Sequence, residues 1–172
     1  LKEQGYQTIS LGALAETPSE RNSKRICITF DDGYASQISA AQILSDLGFT
    51  ATFFVIGHSA TMSGNTRNYW ENWPRLRWKE IRELRKAGFE IGAHSMTHPR
   101  LTLLSEDALP EETSGAKSYI EDRLGYRISS YSYPYGAYNP GVVQAVKNAG
   151  YDLACTSIYG ANHPFSPAFA LR

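Results

Sequence analysis

Two adjacent aspartates follow a short apolar segment near the start of the chain, where residues 29–33 read Thr-Phe-Asp-Asp-Gly. The ends of strands are where α/β folds place their sites. Successive side chains of a strand point to opposite faces, so Asp31 and Asp32 can reach one site only if the strand breaks, which Gly33 permits. One carboxylate would then bind a metal while the other moves protons. The alternative is a pair of solvated loop acids or a helix N-cap.

Half of the four histidines lie in residues 94–99, which read His-Ser-Met-Thr-His-Pro. His94 and His98 have a spacing at which two imidazoles can meet one metal ion. With one aspartate they leave positions open for water and substrate, as in catalytic sites. A divalent ion there would lower the pKa of bound water and polarise a carbonyl, which hydrolysis requires. The same ligands suit the iron of an oxygenase, but the second aspartate favours a hydrolase with a general base.

A tight turn is predicted at residues 132–136, Ser-Tyr-Pro-Tyr-Gly, after another apolar segment. Pro134 and Gly136 would fix this turn so that a backbone N–H, which we assign to Tyr135, points at a developing oxyanion. By itself the segment indicates only a turn.

These three segments together resemble the polysaccharide deacetylase family, the NodB-homology domain of carbohydrate esterase family 4, from about Lys24 to the end of the chain. The resemblance implies a distorted (β/α) barrel of about seven parallel strands. It implies an acetylated polysaccharide as substrate, with N-acetylglucosamine polymers favoured over O-acetyl esters. Because the opening residues resemble those of extracytoplasmic members, we expect a secreted, periplasmic or cell-envelope enzyme.

The resemblance also implies roles for individual residues. The metal would be Zn²⁺, with Co²⁺, Ni²⁺ or Mn²⁺ as alternatives, held by Asp32, His94 and His98. Asp31 would be the catalytic base, and Pro134 and Tyr135 would contact the substrate.

The chain also departs from the family pattern. Many members carry an arginine two residues before the proline of the third motif, where this chain has Ser132; Arg172 is our candidate to supply that charge. The later motifs that provide a general acid are not recognisable, so His163 is the candidate acid, with a loop residue as the alternative. Trp70 and Trp73 are candidates for stacking on sugar rings, unless they anchor their loop.

Short runs of β-branched and aromatic residues alternate with amphipathic segments, a pattern that predicts βα units and an α/β fold. The predicted strands are 26–30, 50–56, 89–93, 128–133 and 152–157. The predicted helices are 35–47, 78–86, 105–124 and 140–149, the third of them beginning near Pro110. A long loop is predicted over 57–77.

The 172 residues fit one domain, with 1–23 as an N-terminal lead-in and a C-terminal end that we expect to stop before a final strand. Seventeen basic residues balance seventeen acidic ones, which argues against nucleic acid or a membrane surface as partner. The apolar runs are too short to span a bilayer, no signal peptide is expected in the chain, and we expect a monomer. Cys27 and Cys155 lie in apolar segments and are predicted to be buried free thiols.

Two other functions remain open. One is hydrolysis of a small amide or cyclic ureide by the same fold, which would need a closed pocket. The other is a catalytically silent carbohydrate-binding module. The missing arginine and general acid favour such a module, whereas the intact residues Asp31, Asp32, His94 and His98 argue against it.

Overall fold

The computed structural model describes residues 1–16, 24–58, 73–162 and 166–172. Its central element is a five-stranded parallel sheet in the order β3 (Thr29–Phe30), β4 (Thr52–Val55), β5 (Glu90–Ala93), β6 (Ser130–Ser132) and β7 (Leu153–Cys155). A two-stranded parallel sheet contains β1 (Gln7–Thr8) and β2 (Arg25–Ile26). The helices are α1 (Leu11–Glu16), α2 (Gln37–Asp46), α3 (Trp78–Lys86), α4 (Ala116–Leu124) and α5 (Pro140–Asn148).

Neighbouring strands of the large sheet are consecutive in the chain, and each pair is joined through one of the helices α2 to α5. This arrangement confirms the predicted α/β class with parallel βα units. All four residues of β4 are buried, as a near-continuous apolar strand covered on both faces requires. Helix α3 buries Ile81 and Leu84 and turns its charged residues to solvent, so one apolar stripe is enough to dock it.

Two predicted elements differ from the structure. The strand predicted at 26–30 is divided, because its first part pairs with β1 in the small sheet and its second part pairs with β4 in the large one. The barrel is therefore partial, with seven strands shared between two sheets in the described residues. The stretch predicted as helical at 105–124 is divided as well: after a 3-10 turn (Glu106–Ala108) the helical residues begin at Leu109, close to Pro110 as predicted, and a π-helical turn (Glu111–Gly115) leads into α4.

Helix α1 covers the amino ends of the strands. Its first amides donate to the Thr52 hydroxyl at 3.1 Å and to the Glu90 carboxylate at 2.9 Å. Beside it, Cys27 and Cys155 pack against a small apolar cluster and are free thiols, as predicted, but are only partly buried. Burial raises their thiol pKa values to about 11 and about 12, respectively. Among the described residues, no helix is long and apolar enough to cross a membrane.

Candidate active site

The two aspartates lie at the carboxyl end of β3, on a turn whose backbone is left-handed at two successive residues. Asp32 has φ 73° and Gly33 has φ 64°, so the strand breaks one residue earlier than the glycine alone would require. A left-handed non-glycine residue costs about 1–2 kcal/mol, and such conformations persist where surrounding contacts hold them. The turn leaves Asp31 exposed and Asp32 half-buried. The carboxylate of Asp31 makes no hydrogen bond or ion pair with the part of the chain that the structure describes.

The two histidines lie on a loop at the carboxyl end of β5. Ser95 (φ 63°) and His98 (φ 65°) are both left-handed, and this curvature brings the imidazoles of His94 and His98 together. His94 is buried, and its Nδ1 donates a 2.8 Å hydrogen bond to the Ser132 carbonyl of the neighbouring strand β6. Because a carbonyl oxygen can only accept a hydrogen bond, Nδ1 carries the proton of the neutral ring, and Nε2 of His94 keeps a lone pair that can bind a metal. The Ser95 hydroxyl accepts the His98 amide at 2.8 Å.

Three electron-rich atoms converge between the turn and the loop. Nε2 of His94 and Nε2 of His98 are 3.2 Å apart, and Oδ1 of Asp32 lies 3.7 Å from the first and 3.3 Å from the second. Ligands bound to one tetrahedral zinc at about 2.0–2.1 Å would be separated by roughly 3.3 Å. Burial and the neighbouring His94 lower the pKa of His98 to about 4, so its imidazole is neutral near pH 7, as a ligand must be. The donor set fits a divalent metal ion.

Glu112, on the π-helical turn, fixes the histidine loop from behind. Its carboxylate accepts the amides of Met96 and Thr97, each at 2.9 Å, and the Thr97 hydroxyl at 2.6 Å. Glu112 is only 7% exposed, so these donors satisfy an otherwise costly buried charge. π-Helical turns occur frequently at functional sites, and here the turn brings Glu112 to the loop.

The aspartate turn is held from the other side by the segment 73–77. The Pro74 carbonyl accepts the Ala35 amide and the Gly33 carbonyl accepts the Leu76 amide, both at 2.8 Å. Arg75 donates from Nη1 to the Asp32 carbonyl at 2.7 Å.

The third predicted turn follows β6. Tyr135 is left-handed (φ 59°), and its exposed ring packs 4.7 Å from the His98 ring. Within the described residues no hydrogen bond uses the Tyr135 amide, so this N–H is available to a ligand. A side chain on Gly136 (φ 62°) would meet the Ser157 amide nitrogen at 2.6 Å, which explains why glycine ends the turn. Pro134 is buried at the start of the turn.

The family model described as polysaccharide deacetylase matches residues 19–154 of the chain. The chain belongs to the polysaccharide deacetylase family. Deacetylase structures share its fold: the Streptococcus pyogenes deacetylase PplD superposes with a TM-score of 0.87 at 25% identity, over 99% of this chain and 74% of that one. The deacetylase domain of BpsB from Bordetella bronchiseptica has a TM-score of 0.86 at 19% identity, over 99% of this chain and 79% of that one.

Curated relatives in sequence are longer than this chain. It is 28% identical to YxkH of Bacillus subtilis over 100% of this chain and 60% of the relative. It is 31% identical to the peptidoglycan-N-acetylglucosamine deacetylase PgdA of Listeria monocytogenes over 76% of this chain and 26% of PgdA. The chain therefore spans 60% of one of these curated relatives and 26% of the other.

Outside the three motifs, the sequence predicted four further residues for the site. His163 and Trp70 lie outside the described residues. Trp73 borders the aspartate turn, is 45% exposed and contacts the Tyr34 ring edge-on at 5.6 Å. Arg172 exchanges backbone hydrogen bonds with the Asn162 side chain, and the described residues contain no ion pair between Arg172 and Asp31.

Three contributors to the site were missed by the sequence analysis: Glu112, Arg75 and the Ser132 carbonyl. Of the three, only Glu112 could have been noticed in the sequence, because it lies between Leu109 and Ala116 on the otherwise apolar face of its helical segment. A carbonyl carries no sequence signal, and Arg75 reaches Asp32 across 43 residues of chain.

Proposed function

We propose that this chain is the catalytic domain of a divalent-metal-dependent deacetylase that hydrolyses N-acetyl groups on a glucosamine-containing polysaccharide. The observation that carries the proposal is the convergence of Asp32, His94 and His98, whose ligand atoms all lie within 4.8 Å of one another. Zn²⁺ suits two imidazoles and a carboxylate best, and Co²⁺, Ni²⁺ or Mn²⁺ are alternatives. When bound, such an ion lowers the pKa of a water ligand and polarises a carbonyl.

The chain's own residues would divide the remaining work. Asp31 is exposed beside the ligand Asp32 and would take a proton from the attacking water as general base. The Tyr135 amide would donate a hydrogen bond to the acetyl oxygen as negative charge develops there, held in place by the buried Pro134. His163 stays our candidate for the acid that protonates the leaving amine.

The proposed substrate is a polymer bound in an open groove. A depression next to the aspartate turn is lined by Tyr34, Ser36, Trp73 and Pro74. Its aromatic side chains would pack against a sugar ring adjacent to the one being deacetylated. PgdA carries peptidoglycan-N-acetylglucosamine in its name, which supports an N-acetylated glycan and an enzyme of the cell envelope or exterior. We propose that residues 1–172 form one domain and act as a monomer.

The test measures metal and acetate on the same purified protein. Metal content is determined by mass spectrometry, and acetate release is measured on N-acetylglucosamine oligomers with and without chelator. We expect about one metal ion per chain and loss of activity with chelator. We expect Asp32→Ala to lose both metal and activity, and Asp31→Asn to keep the metal while turnover falls roughly 10²–10⁴-fold.

The matched control is Asp46→Asn, an exposed carboxylate on α2 that, within the described residues, accepts one hydrogen bond, from Gln42, and should behave as wild type. Acetylated xylan is assayed in parallel, because a bifunctional xylanase/deacetylase of Pseudobutyrivibrio xylanivorans is 26% identical over 80% of this chain. Metal binding with acetate released only from xylan would replace the amide substrate with an ester. A chain that binds no metal would contradict the proposed function.

A further inference from the structure

Arg75 makes two contacts at once beside the aspartate turn. Its Nη1 donates to the Asp32 carbonyl oxygen at 2.7 Å, and its guanidinium carbon lies over the Tyr34 ring, 3.9 Å from the ring centre. The side chain is only 16% exposed, so its conformation is fixed by these neighbours. A planar guanidinium can donate along its edge and stack on its face together, which an ammonium cannot do.

The distance to the carboxylate indicates what Arg75 holds. Nη1 is 3.8 Å from Oδ1 of Asp32, which is beyond hydrogen-bond range, whereas the carbonyl of the same residue is bonded. Arg75 therefore holds the backbone of Asp32, a left-handed residue, and leaves the Oδ1 of Asp32 facing His94 and His98. The Tyr34–Arg75 bridge between the two backbones, with hydrogen bonds on either side of it, keeps the two segments in register.

We propose that Arg75 is a positioning residue, which holds the Asp32 carboxylate in the orientation that binds the metal by bonding its carbonyl and stacking on Tyr34. The inference rests on the proposed function in one respect, the binding of a divalent ion by Asp32, His94 and His98. It adds a residue outside the three recognised motifs.

Charge and positioning predict opposite effects of removing Arg75. A cation near the site repels a metal ion, so Arg75→Met acting through charge alone would tighten metal binding. If Arg75 positions Asp32, the same substitution weakens metal binding. Partners that orient metal ligands typically change affinity by about 10–100-fold, which exceeds the effect of one partly screened charge.

The experiment is a competition titration of Zn²⁺ against a chromophoric chelator, with wild type, Arg75→Met, Arg75→Lys and Arg77→Met. We expect Arg75→Met to bind Zn²⁺ at least 10-fold more weakly. Arg75→Lys should recover part of this loss, because one donor remains but the stacking is gone. Arg77 is the matched control: its side chain is 76% exposed and pairs with Glu80 on α3, so Arg77→Met should leave the affinity unchanged.

Thermal melts accompany each titration, so that affinity is compared only between folded proteins. If Arg75→Met does not fold, Tyr34→Leu replaces it in the test, because it removes the stacking surface and leaves the charge in place; we expect a several-fold loss of affinity. Tyr34→Phe is its control, since it keeps the ring and removes only the hydroxyl, which interacts with the side chains of Asp32 and Arg75. Unchanged or tighter Zn²⁺ binding by the folded variants would overturn the inference, as would an equal loss in Arg77→Met. A wild-type chain that binds no Zn²⁺ would overturn the proposed function and the inference together.

Discussion

The aspartate turn (residues 31–35) and the histidine loop (residues 94–98) bring candidate metal ligands to the same point but are supported differently. The histidine loop is fixed from the core: the His94 side chain is 3% exposed, and Glu112 behind the loop is buried. The aspartate turn is fixed from the surface, by the segment 73–77 and by Arg75. Substitutions behind the histidines should therefore reduce stability together with metal affinity, whereas those beside the aspartates should affect metal affinity at smaller cost in stability.

The largest expected effect is that of Glu112→Ala. It leaves the Met96 and Thr97 amides and the Thr97 hydroxyl without their acceptor, and an unsatisfied buried donor costs about 1–3 kcal/mol. Because Thr97 is exposed and can bind water, we expect a loss on the order of 3 kcal/mol in the free energy of unfolding. Urea denaturation of the metal-free protein measures it.

The control for this substitution is Glu111→Ala, which removes the neighbouring, exposed carboxylate of the same helical turn. We expect it to stay within about 0.5 kcal/mol of wild type. Glu112→Gln keeps one acceptor oxygen and should lie between the two. Equal stability of the Ala variants would mean that the histidine loop is not held from the core, and the contrast with the aspartate turn would disappear.

A second expected effect, at most about 3 kcal/mol between pH 7 and pH 4, concerns pH. The pKa of His98 is about 4 in the folded protein, lowered by burial and by His94, against an ordinary value of 6.5. Between these values the unfolded imidazole binds a proton that the folded one does not, so the metal-free protein loses stability as pH falls from 7 to 4. The difference between wild type and His98→Gln isolates the contribution of His98 together with its coupling to His94, because the titrating groups away from this pair are common to both proteins.

The same pH series is repeated with metal added. An ion bound to the histidines would compete with the proton, so the loss of stability should move to lower pH. If wild type and His98→Gln lose stability in parallel between pH 7 and pH 4, the imidazole of His98 is not desolvated as the structure indicates.

The same contrast explains how much could be predicted from the sequence. The aspartate pair, His94 and His98 could be identified as candidates because parallel strands end at one edge of a sheet, so residues that follow consecutive strands meet there. The choice of Asp32 as the metal-binding aspartate came from the family resemblance. The helix over 78–86 was predicted with its observed bounds, since its apolar stripe is local. The supports could not be predicted in this way, because Arg75 acts through contacts that exist only once the chain has folded.

The strand predicted at 26–30 failed for a related reason. Its residues have uniform strand propensity, and the division into β2 and β3 depends on which partner lies alongside each half. For Glu112, the apolar face on which it lies indicated burial, but its charge, which normally predicts exposure, outweighed that indication. Local pattern thus pointed to the candidate ligands, while tertiary contacts determine which residues orient them.

The smallest expected effect compares two left-handed glycines, Gly33 in the aspartate turn (φ 64°) and Gly48 after helix α2 (φ 70°). Alanine costs about 1–2 kcal/mol in this region, and neither site adds a severe clash: the nearest atom to a new Cβ is Val55 Cγ1 at 3.4 Å for Gly33 and none within 4 Å for Gly48. Gly33→Ala and Gly48→Ala should therefore lower the melting temperature similarly. Only Gly33→Ala should weaken Zn²⁺ binding, because relaxing its φ moves the adjacent Asp32. Equal Zn²⁺ affinities in the two variants would show that the aspartate turn tolerates backbone change without losing its ligand, and Arg75 would then have less to hold.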